Sequence, residues 1–322
     1  MRLALVTLFS LCAAPAVAEV VTLKWPLDCE LGQSCFVQNY MDRDPGPGAR
    51  DFTCGSLTYD GHKGTDISVL SLSAMRGGVD VFAAANGTVR GLRDGMPDVL
   101  FTDPGAPDIT DRDCGNGLVI DHGDGIETQY CHMKQGSLRV QQGQSVVAGD
   151  LLGQVGLSGR TEFPHLHLSL RKDGIPADPF YTNKGASCGN DDGQSWWIEP
   201  VDYIPGGLIA VGFATGIPEY GAIKAGNAAA NTISTGADGL VLWGYVFGAR
   251  AGDQMLFNFS GPRGLNFSQT VDLTRSQAQL FRATGKRRTL PAWPSGAISG
   301  TVAMVRDGVE IDRREVTARI AQ

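Results

Sequence analysis

The segment Pro164-His165-Leu166-His167-Leu168 carries two histidines two residues apart in an apolar run. On a β-strand, side chains at that spacing project from one face, so both imidazoles would point into the same site. The chain has 5 histidines, and two more stand in short motifs: His62 four residues before Asp66, and His132 directly after Cys131. Neutral imidazole and carboxylate are ligands that suit Zn²⁺. The sequence therefore predicts a metal site assembled from distant segments.

Short β-rich runs fill residues 61 to about 182 and alternate with Gly-Asn, Gly-Asp and Asp-Gly turns. Helical periodicity is nearly absent there, so we expect an all-β domain. The four-residue spacing of His62 and Asp66 suits a helical turn and an extended segment equally well. Gly64 and the run Thr65-Asp66-Ile67-Ser68-Val69, which is rich in β-branched residues, favour the extended alternative.

Further motifs follow one another in a definite order through this region. After Gly61-His62-Lys63-Gly64-Thr65-Asp66 come Val81-Phe82-Ala83-Ala84-Ala85-Asn86-Gly87-Thr88-Val89, Val119-Ile120-Asp121-His122-Gly123, Tyr130-Cys131-His132-Met133 and Val147-Ala148-Gly149-Asp150. With residues 159–168, these resemble the lysostaphin-like (LytM-type) zinc metalloendopeptidases over roughly residues 61–180. The resemblance implies three zinc ligands, His62, Asp66 and His167, and two catalytic histidines, His132 and His165. We accordingly expect an antiparallel β-sheet metallopeptidase domain over residues 61–182.

The chemistry of these residue types agrees with the implied roles. Three protein ligands leave a fourth tetrahedral position for water, as in catalytic zinc sites. Bound zinc lowers the pKa of such a water to about 7 and polarises the scissile carbonyl. No His-Glu-x-x-His motif supplies a base. Histidines outside the ligand set, with an ordinary pKa near ~6.5, can accept the proton and stabilise the oxyanion. The remaining histidine, His122, ends a strand before a Gly-rich turn, and we expect a structural role for it.

Two features depart from the family pattern. Cys131 stands before His132 where the family usually has a small residue, and residues 93–114 have the character of an insertion between two strands. Both bear on the rim of the cleft and on substrate choice, and neither removes a ligand. Cys131 could also serve as a nucleophile or ligand, but strand alternation would turn it away from His132.

Export is predicted by the first 18 residues, which place Arg2 before an apolar run that ends in Ala16-Val17-Ala18, the pattern of a cleaved signal peptide. The alternative of a membrane anchor is disfavoured because the run is shorter than the ~20 residues of a bilayer span. Beyond it lie six cysteines, an even number that favours disulfides in an exported chain. Their numbers are Cys29, Cys35, Cys54, Cys114, Cys131 and Cys188. Cys29–Cys35 is the easiest local loop, and Cys54–Cys114 with Cys131–Cys188 is one completion.

Length and composition allow two domains: 322 residues with 42% hydrophobic content. We divide the chain into a signal peptide at 1–18, a disulfide-tied extension at 19–60, the peptidase domain at 61–182, a Gly-rich linker at 183–205 and a C-terminal β-sandwich at 206–322. The extension leads directly into His62, so it is a candidate for framing the metal site.

The sandwich carries five aromatic residues at period two, which we assign to its core, with a glycan-binding face as the alternative. They are Trp243, Tyr245, Phe247, Phe257 and Phe259. A polar, Gly-rich linker is typical of domains that fold independently. The C-terminal domain is thus a candidate for binding cell-wall glycan or a protein partner.

A formal net charge of −7 argues against nucleic acid and anionic membranes as partners, because basic patches bind both. The one basic run is Lys286-Arg287-Arg288. These patterns and the resemblance together predict a periplasmic or secreted zinc endopeptidase that cuts peptide cross-links of bacterial peptidoglycan. The alternatives are a non-cleaving activator or scaffold for a partner cell-wall amidase, and a protease acting on proteins.

Overall fold

The computed structural model describes residues 21–182, 188–189 and 194–322. The predicted signal peptide and residues 183–187 and 190–193 of the predicted linker lie outside this range. The described chain is built almost entirely from β-strands, most of them antiparallel, which confirms the predicted fold class. No helix in these ranges combines the length and apolar character needed to cross a membrane.

The first domain is one large sheet with a two-stranded sheet beside it. The large sheet has the order β1-β2-β9-β6-β5-β4-β7, with β10 paired to β9, and the small one pairs β3 with β8. The strands are β1 Cys35–Asn39, β2 Thr65–Val69, β3 Asp80–Phe82, β4 Gly87–Arg93, β5 Asn116–Asp121, β6 Ile126–Met133, β7 Ser145–Val146, β8 Leu151–Gln154, β9 His165–Lys172 and β10 Ile175–Ala177; helix α1 is Leu72–Gly77.

The pairing of β2 with β9, the second and third strands of this sheet, positions the predicted site. Asp66 lies opposite His167. Because directly opposed residues share a face, this pair projects from one side of the sheet. The alternate residues Ile67 and Leu166 are fully buried on the other side. The extended conformation predicted for Asp66 is therefore correct.

The N-terminal extension contributes β1, which pairs antiparallel with β2 and forms the edge of the large sheet. The register of this pair shifts between Val37 and Asn39, so that Asn39 lies opposite Asp66. The extension thus reaches the site through a strand, whereas the sequence indicated only an irregular segment.

The second domain is a sandwich of a three-stranded sheet, β11-β13-β16, and a five-stranded sheet, β12-β18-β17-β14-β15. Its core contains Leu242, Val246, Phe257, Val302 and Met304. The elements are β11 Gly207–Ala214, β12 Thr232–Ser234, β13 Gly239–Ala249, β14 Gln254–Ser260, β15 Asn266–Asp272, β16 Gln277–Arg287, β17 Gly296–Arg306 and β18 Val309–Ala321, with helix α2 Tyr220–Ala225 and a 3₁₀ turn at Pro262–Gly264.

Strand β13 is buried on both faces because it lies between two cores. Trp243, Tyr245 and Phe247 pack into the hydrophobic core of the first domain. The Phe36 and Phe247 ring centroids are 4.4 Å apart. Assigning these three aromatics to the sandwich's own core was therefore wrong, although Phe257 and Phe259 do lie there. Burial also removes the three rings from any glycan-binding face.

Three disulfides tie the first domain together: Cys29–Cys35, Cys54–Cys188 and Cys114–Cys131. The local pair is as predicted, but the completion Cys54–Cys114 with Cys131–Cys188 is wrong. Cys114 lies just before β5 and Cys131 lies on β6, and these strands are neighbours in the sheet. The bond therefore spans a short distance that sequence spacing does not reveal. A bonded Cys131 has no free thiol, so it is neither a nucleophile nor a ligand.

Candidate metal centre

His62, Asp66 and His167 bring one potential ligand atom each to a common point, and these atoms all lie within 4.8 Å of one another. His62 Nε2 is 3.2 Å from Asp66 Oδ1, and His167 Nδ1 is 2.7 Å from the same oxygen. His62 Nε2 and His167 Nδ1 are 3.3 Å apart. The His62 and Asp66 side chains are nearly inaccessible, whereas the His167 side chain is 19% exposed. Access from solvent is therefore on the His167 side.

Hydrogen bonds to the outer ring nitrogens determine which nitrogen of each imidazole faces the centre. His62 Nδ1 lies 2.7 Å from the Tyr40 carbonyl oxygen, which only accepts, so this nitrogen carries the proton. Nε2 therefore faces the cluster. His167 Nε2 lies 3.0 Å from Ser169 Oγ, and its Nδ1 faces inward. Such outer partners orient metal-binding imidazoles in known sites.

The Asp66 carboxylate is held by Asn39, whose side-chain amide donates to Oδ2 at 2.9 Å. Burial would raise the pKa of Asp66, but His62 and His165 outweigh it and hold the pKa well below its ordinary value. Burial would lower the pKa of His62, yet the Asp66 charge raises it above its ordinary value. The cluster thus holds an ionised carboxylate among imidazoles, as a divalent cation requires.

His132 and His165 stand beside the cluster with ring centroids 4.6 Å apart. The His132 ring lies 6.1 Å from that of His167, and His165 Nε2 is 3.3 Å from Asp66 Oδ1. Each has its Nδ1 near a backbone carbonyl oxygen: Ser158 for His132 at 2.7 Å and Phe163 for His165 at 2.9 Å. Each ring therefore turns Nε2 toward the centre. Burial, together with His165 and His167, lowers the pKa of His132 well below its ordinary value, so its ring is neutral.

His132 occupies a β-bulge that the sequence did not predict. Between the pairs Asn116–Met133 and Leu118–Tyr130, β6 has one residue more than β5. His132 has φ +60°, a left-handed conformation that costs a non-glycine residue about 1–2 kcal/mol. Bulges near active sites re-aim side chains in this way. The facing residue must be Gly117, because a Cβ there would overlap the Tyr130 carbonyl oxygen.

Asn39 and Tyr40 were not predicted to position the ligands. Asn39 and Tyr40 reach the site through the pairing of β1, which composition could not indicate. Gly64 offered a clearer signal because it lies within the His62 motif. A Cβ at Gly64 would come within 2.6 Å of His167 Nε2, so glycine leaves room for that ring.

His122 has the structural role expected for it. Its Nδ1 lies 2.6 Å from the Asn86 carbonyl oxygen, and its Nε2 lies 2.7 Å from Thr128 Oγ1. Burial lowers its pKa. These contacts join turns and strands of the sheet, and His122 takes no part in the cluster formed by His62, Asp66 and His167.

The cluster fits zinc by the chemistry of its donors. Two imidazole nitrogens and one carboxylate oxygen converge, each oriented by a second hydrogen bond. Three such ligands with one open position are the pattern of catalytic zinc sites. The open side faces the His132 and His165 rings.

Comparisons with known proteins agree on the family of this segment. Residues 60–179 match the model described as Peptidase family M23. The DD-carboxypeptidase/endopeptidase Mpg of Neisseria meningitidis serogroup B is 40% identical over 65 residues, covering 20% of this chain and 14% of that protein. The peptidoglycan DD-endopeptidase ShyA of Vibrio cholerae is 38% identical over 69 residues, covering 21% of this chain and 16% of that protein. The chain thus matches less than a fifth of the length of these curated relatives.

Two solved structures align with part of the chain. The SpoIIIAH and SpoIIQ complex contains a chain that aligns with TM-score 0.34 at 20% identity, covering 49% of this chain and 96% of that one. The catalytic domain of lysostaphin from Staphylococcus simulans aligns with TM-score 0.28 at 20% identity, covering 44% of this chain and 85% of that one. Because the family model matches the segment that carries His62, Asp66, His132, His165 and His167, residues 60–179 of this chain are a peptidase family M23 domain.

Proposed function

We propose that this protein is an exported zinc-dependent endopeptidase that hydrolyses peptide cross-links of bacterial peptidoglycan. The observation that carries the proposal is the convergence of His62, Asp66 and His167 within 4.8 Å, with the outer ring nitrogens already engaged. When bound there, zinc supplies a water that is acidic near neutral pH and polarises the scissile carbonyl.

His62, Asp66 and His167 would hold the cation, which replaces the protons now shared among their inward-facing atoms. Asn39, Tyr40 and Ser169 keep these three side chains aimed inward. The His167 side is the accessible one, so the substrate carbonyl approaches from there. Burial of the other two ligands keeps competing water away from the cluster.

His132 and His165 move the proton. Because Nδ1 of each ring is turned to a backbone carbonyl, only Nε2 faces the reacting groups. A neutral ring accepts the proton of the attacking water through Nε2. The ring, now protonated, donates a hydrogen bond to the oxyanion and then passes the proton to the amine of the leaving peptide. Proton transfer of this kind contributes typically ~10²–10⁴-fold to the rate.

The substrate class and location rest on three supports. The relatives are named as endopeptidases, one of them a peptidoglycan DD-endopeptidase. All six cysteines after residue 18 are paired in disulfides, which form and persist in oxidising compartments. The first residues have the pattern of a signal peptide. Together these favour a periplasmic or secreted enzyme acting on the cell wall.

The test is digestion of purified sacculi by the mature protein, with and without a chelator, followed by mapping of new amino termini. We expect new termini at D-Ala cross-links that the chelator suppresses and added zinc restores. His167→Ala should abolish them, whereas the matched control His122→Ala, a histidine outside the cluster, should retain them. Release that also occurs with His167→Ala would contradict the proposal. Stimulation of a cell-wall amidase without cleavage would favour a scaffold instead.

A further inference from the structure

The Cys114–Cys131 disulfide lies directly beside the His132 bulge. Cys131 precedes His132 in the chain, and the Cys114 carbonyl oxygen accepts the His132 backbone N–H at 2.8 Å. Both halves of the disulfide therefore touch the residue in the left-handed conformation. We propose that this disulfide is a positioning element for His132, required for turnover and not for metal binding. This inference rests on the proposed function of the site.

The loop that ends at Cys114 also determines where the His132 ring points. A Cβ at Gly115 would overlap the backbone of Ser158, so glycine allows the two segments to touch. The Arg160 N–H donates to the Asp113 carbonyl oxygen at 2.8 Å and joins the same segments. Ser158 supplies the carbonyl that orients His132 Nδ1. The loop thus contacts the backbone of His132 directly and its ring through Ser158.

The rest of this loop is anchored away from the disulfide. Asp98 accepts the backbone N–H groups of Gln135 and Leu157 at 2.9 and 2.7 Å. The Asn116 side chain accepts the Met96 N–H at 2.8 Å and donates to the Met96 carbonyl oxygen at 2.7 Å. Residues 94–115 therefore form a braced loop whose end is joined to β6 by the disulfide.

The side chains of the ligand residues are oriented by other segments, although Cys131 lies opposite His167 in the backbone pairing of β6 with β9, a pairing that does not itself require the disulfide. His62, Asp66 and His167 are oriented by Tyr40, Asn39 and Ser169, which lie on or next to β1 and β9. The disulfide at Cys114 contacts none of these partners through the hydrogen bonds of the described residues. Loss of the bond should therefore disturb His132 and leave the metal cluster in place.

The experiment compares two double variants that each remove one disulfide. Cys114→Ser with Cys131→Ser is the test, and Cys29→Ser with Cys35→Ser is the matched control. The substrate is a mixture of cross-linked muropeptides released from sacculi by a muramidase. For the test variant we expect one zinc per chain, a KM within about twofold of the parent and a kcat lower by about 10²-fold, since displacement of about 1 Å has that effect. The control should keep the parental kcat.

Equal loss of kcat in both variants, or parental kcat in the test variant, would overturn the proposal. If the test variant does not fold, the zinc-loaded parent is treated with graded phosphine and the reduced cysteines are mapped by mass. Loss of kcat must then follow reduction of Cys114 and Cys131. Loss that follows Cys54 and Cys188 instead would contradict the assignment.

A readout that does not depend on turnover separates this inference from the proposed function. Nitrogen chemical shifts of the His132 imidazole report which nitrogen is protonated. The parent and the control variant should have a single Nδ1–H form, whereas the test variant should have both tautomers. A parent that binds zinc but cuts no muropeptide would defeat the proposed function, and the His132 shifts would still decide the role of the disulfide.

Discussion

The two halves of the site are supported by different kinds of structure. Asp66 and His167 lie opposite each other on the paired strands β2 and β9, whereas His62 precedes β2 and its ring is held by the Tyr40 carbonyl oxygen. His132 and His165 depend on loop carbonyls and, for His132, on a bulge with φ +60°. Paired strands carry two of the three cation ligands, and a bulge with a loop carbonyl aims the ring of His132. The two functions should therefore be separable by substitution.

Substitution of a ligand should have the largest effect. His62→Ala, Asp66→Ala and His167→Ala each leave two of three ligands, too few for a stable zinc site. We expect zinc content to fall from about one per chain to near zero after dialysis, with loss of hydrolysis. Elemental analysis measures this, and full occupancy in any of the three would remove that residue from the ligand set. His122→Ala should keep its zinc.

Substitution in the histidine pair should affect only the rate. His132→Ala and His165→Ala are expected to retain about one zinc per chain and lose ~10²–10⁴-fold in kcat, the usual contribution of proton transfer. Steady-state kinetics on soluble muropeptides, with zinc analysis of the same samples, provides the measurement. Loss of zinc in either variant would mean that the two halves are not separate.

Asn39→Ala should weaken metal binding without removing a ligand. The amide donates to Asp66 Oδ2 at 2.9 Å, and loss of such an outer partner typically costs 10–100-fold in metal affinity. Competition with a chelator dye measures the zinc Kd. Asn258→Ala, at an exposed position of β14 in the second domain, is the matched control and should keep the parental Kd. An unchanged Kd in Asn39→Ala would show that β1 does not support the cluster.

Substitution at the interface between the domains should have the smallest effect on zinc binding. The effect is transmitted through β1, the strand that carries Asn39. Phe247 packs on Phe36 of β1, three residues before Asn39. Phe247→Ala and Phe257→Ala should each cost about 3–5 kcal/mol of stability, because both rings are buried. Only Phe247→Ala should also raise the zinc Kd, by a few-fold. Equal Kd values in the two variants would show that the interface supports stability alone.

The strands that carry the site residues could be predicted from the sequence. Alternation and β-branched residues gave the strands that carry Asp66, His165 and His167. Motif order gave the residues that would gather in the site. These signals work because strand periodicity is a property of neighbouring residues.

Features that depend on contacts between distant segments could not be predicted in the same way. The bulge at His132 depends on the register of β6 against β5 and on Gly117. The pairing of Cys114 with Cys131 depends on those same strands lying side by side. Alternation along β13 predicts that Trp243 and Phe247 project from the same face of the strand. It does not show which domain packs against that face. Each of these outcomes is decided by tertiary neighbours.

The most direct test of the central claim is a crystal of the purified protein measured on both sides of the zinc absorption edge. We expect one anomalous peak at the cluster, with His62 Nε2, the Asp66 carboxylate and His167 Nδ1 at about 2.0–2.2 Å. The nitrogens of His132 and His165 should lie outside bonding distance of the metal. A zinc ion bound by either of those two histidines, or no peak in protein purified without chelator, would contradict the division of the site into a ligand half and a proton-transfer half.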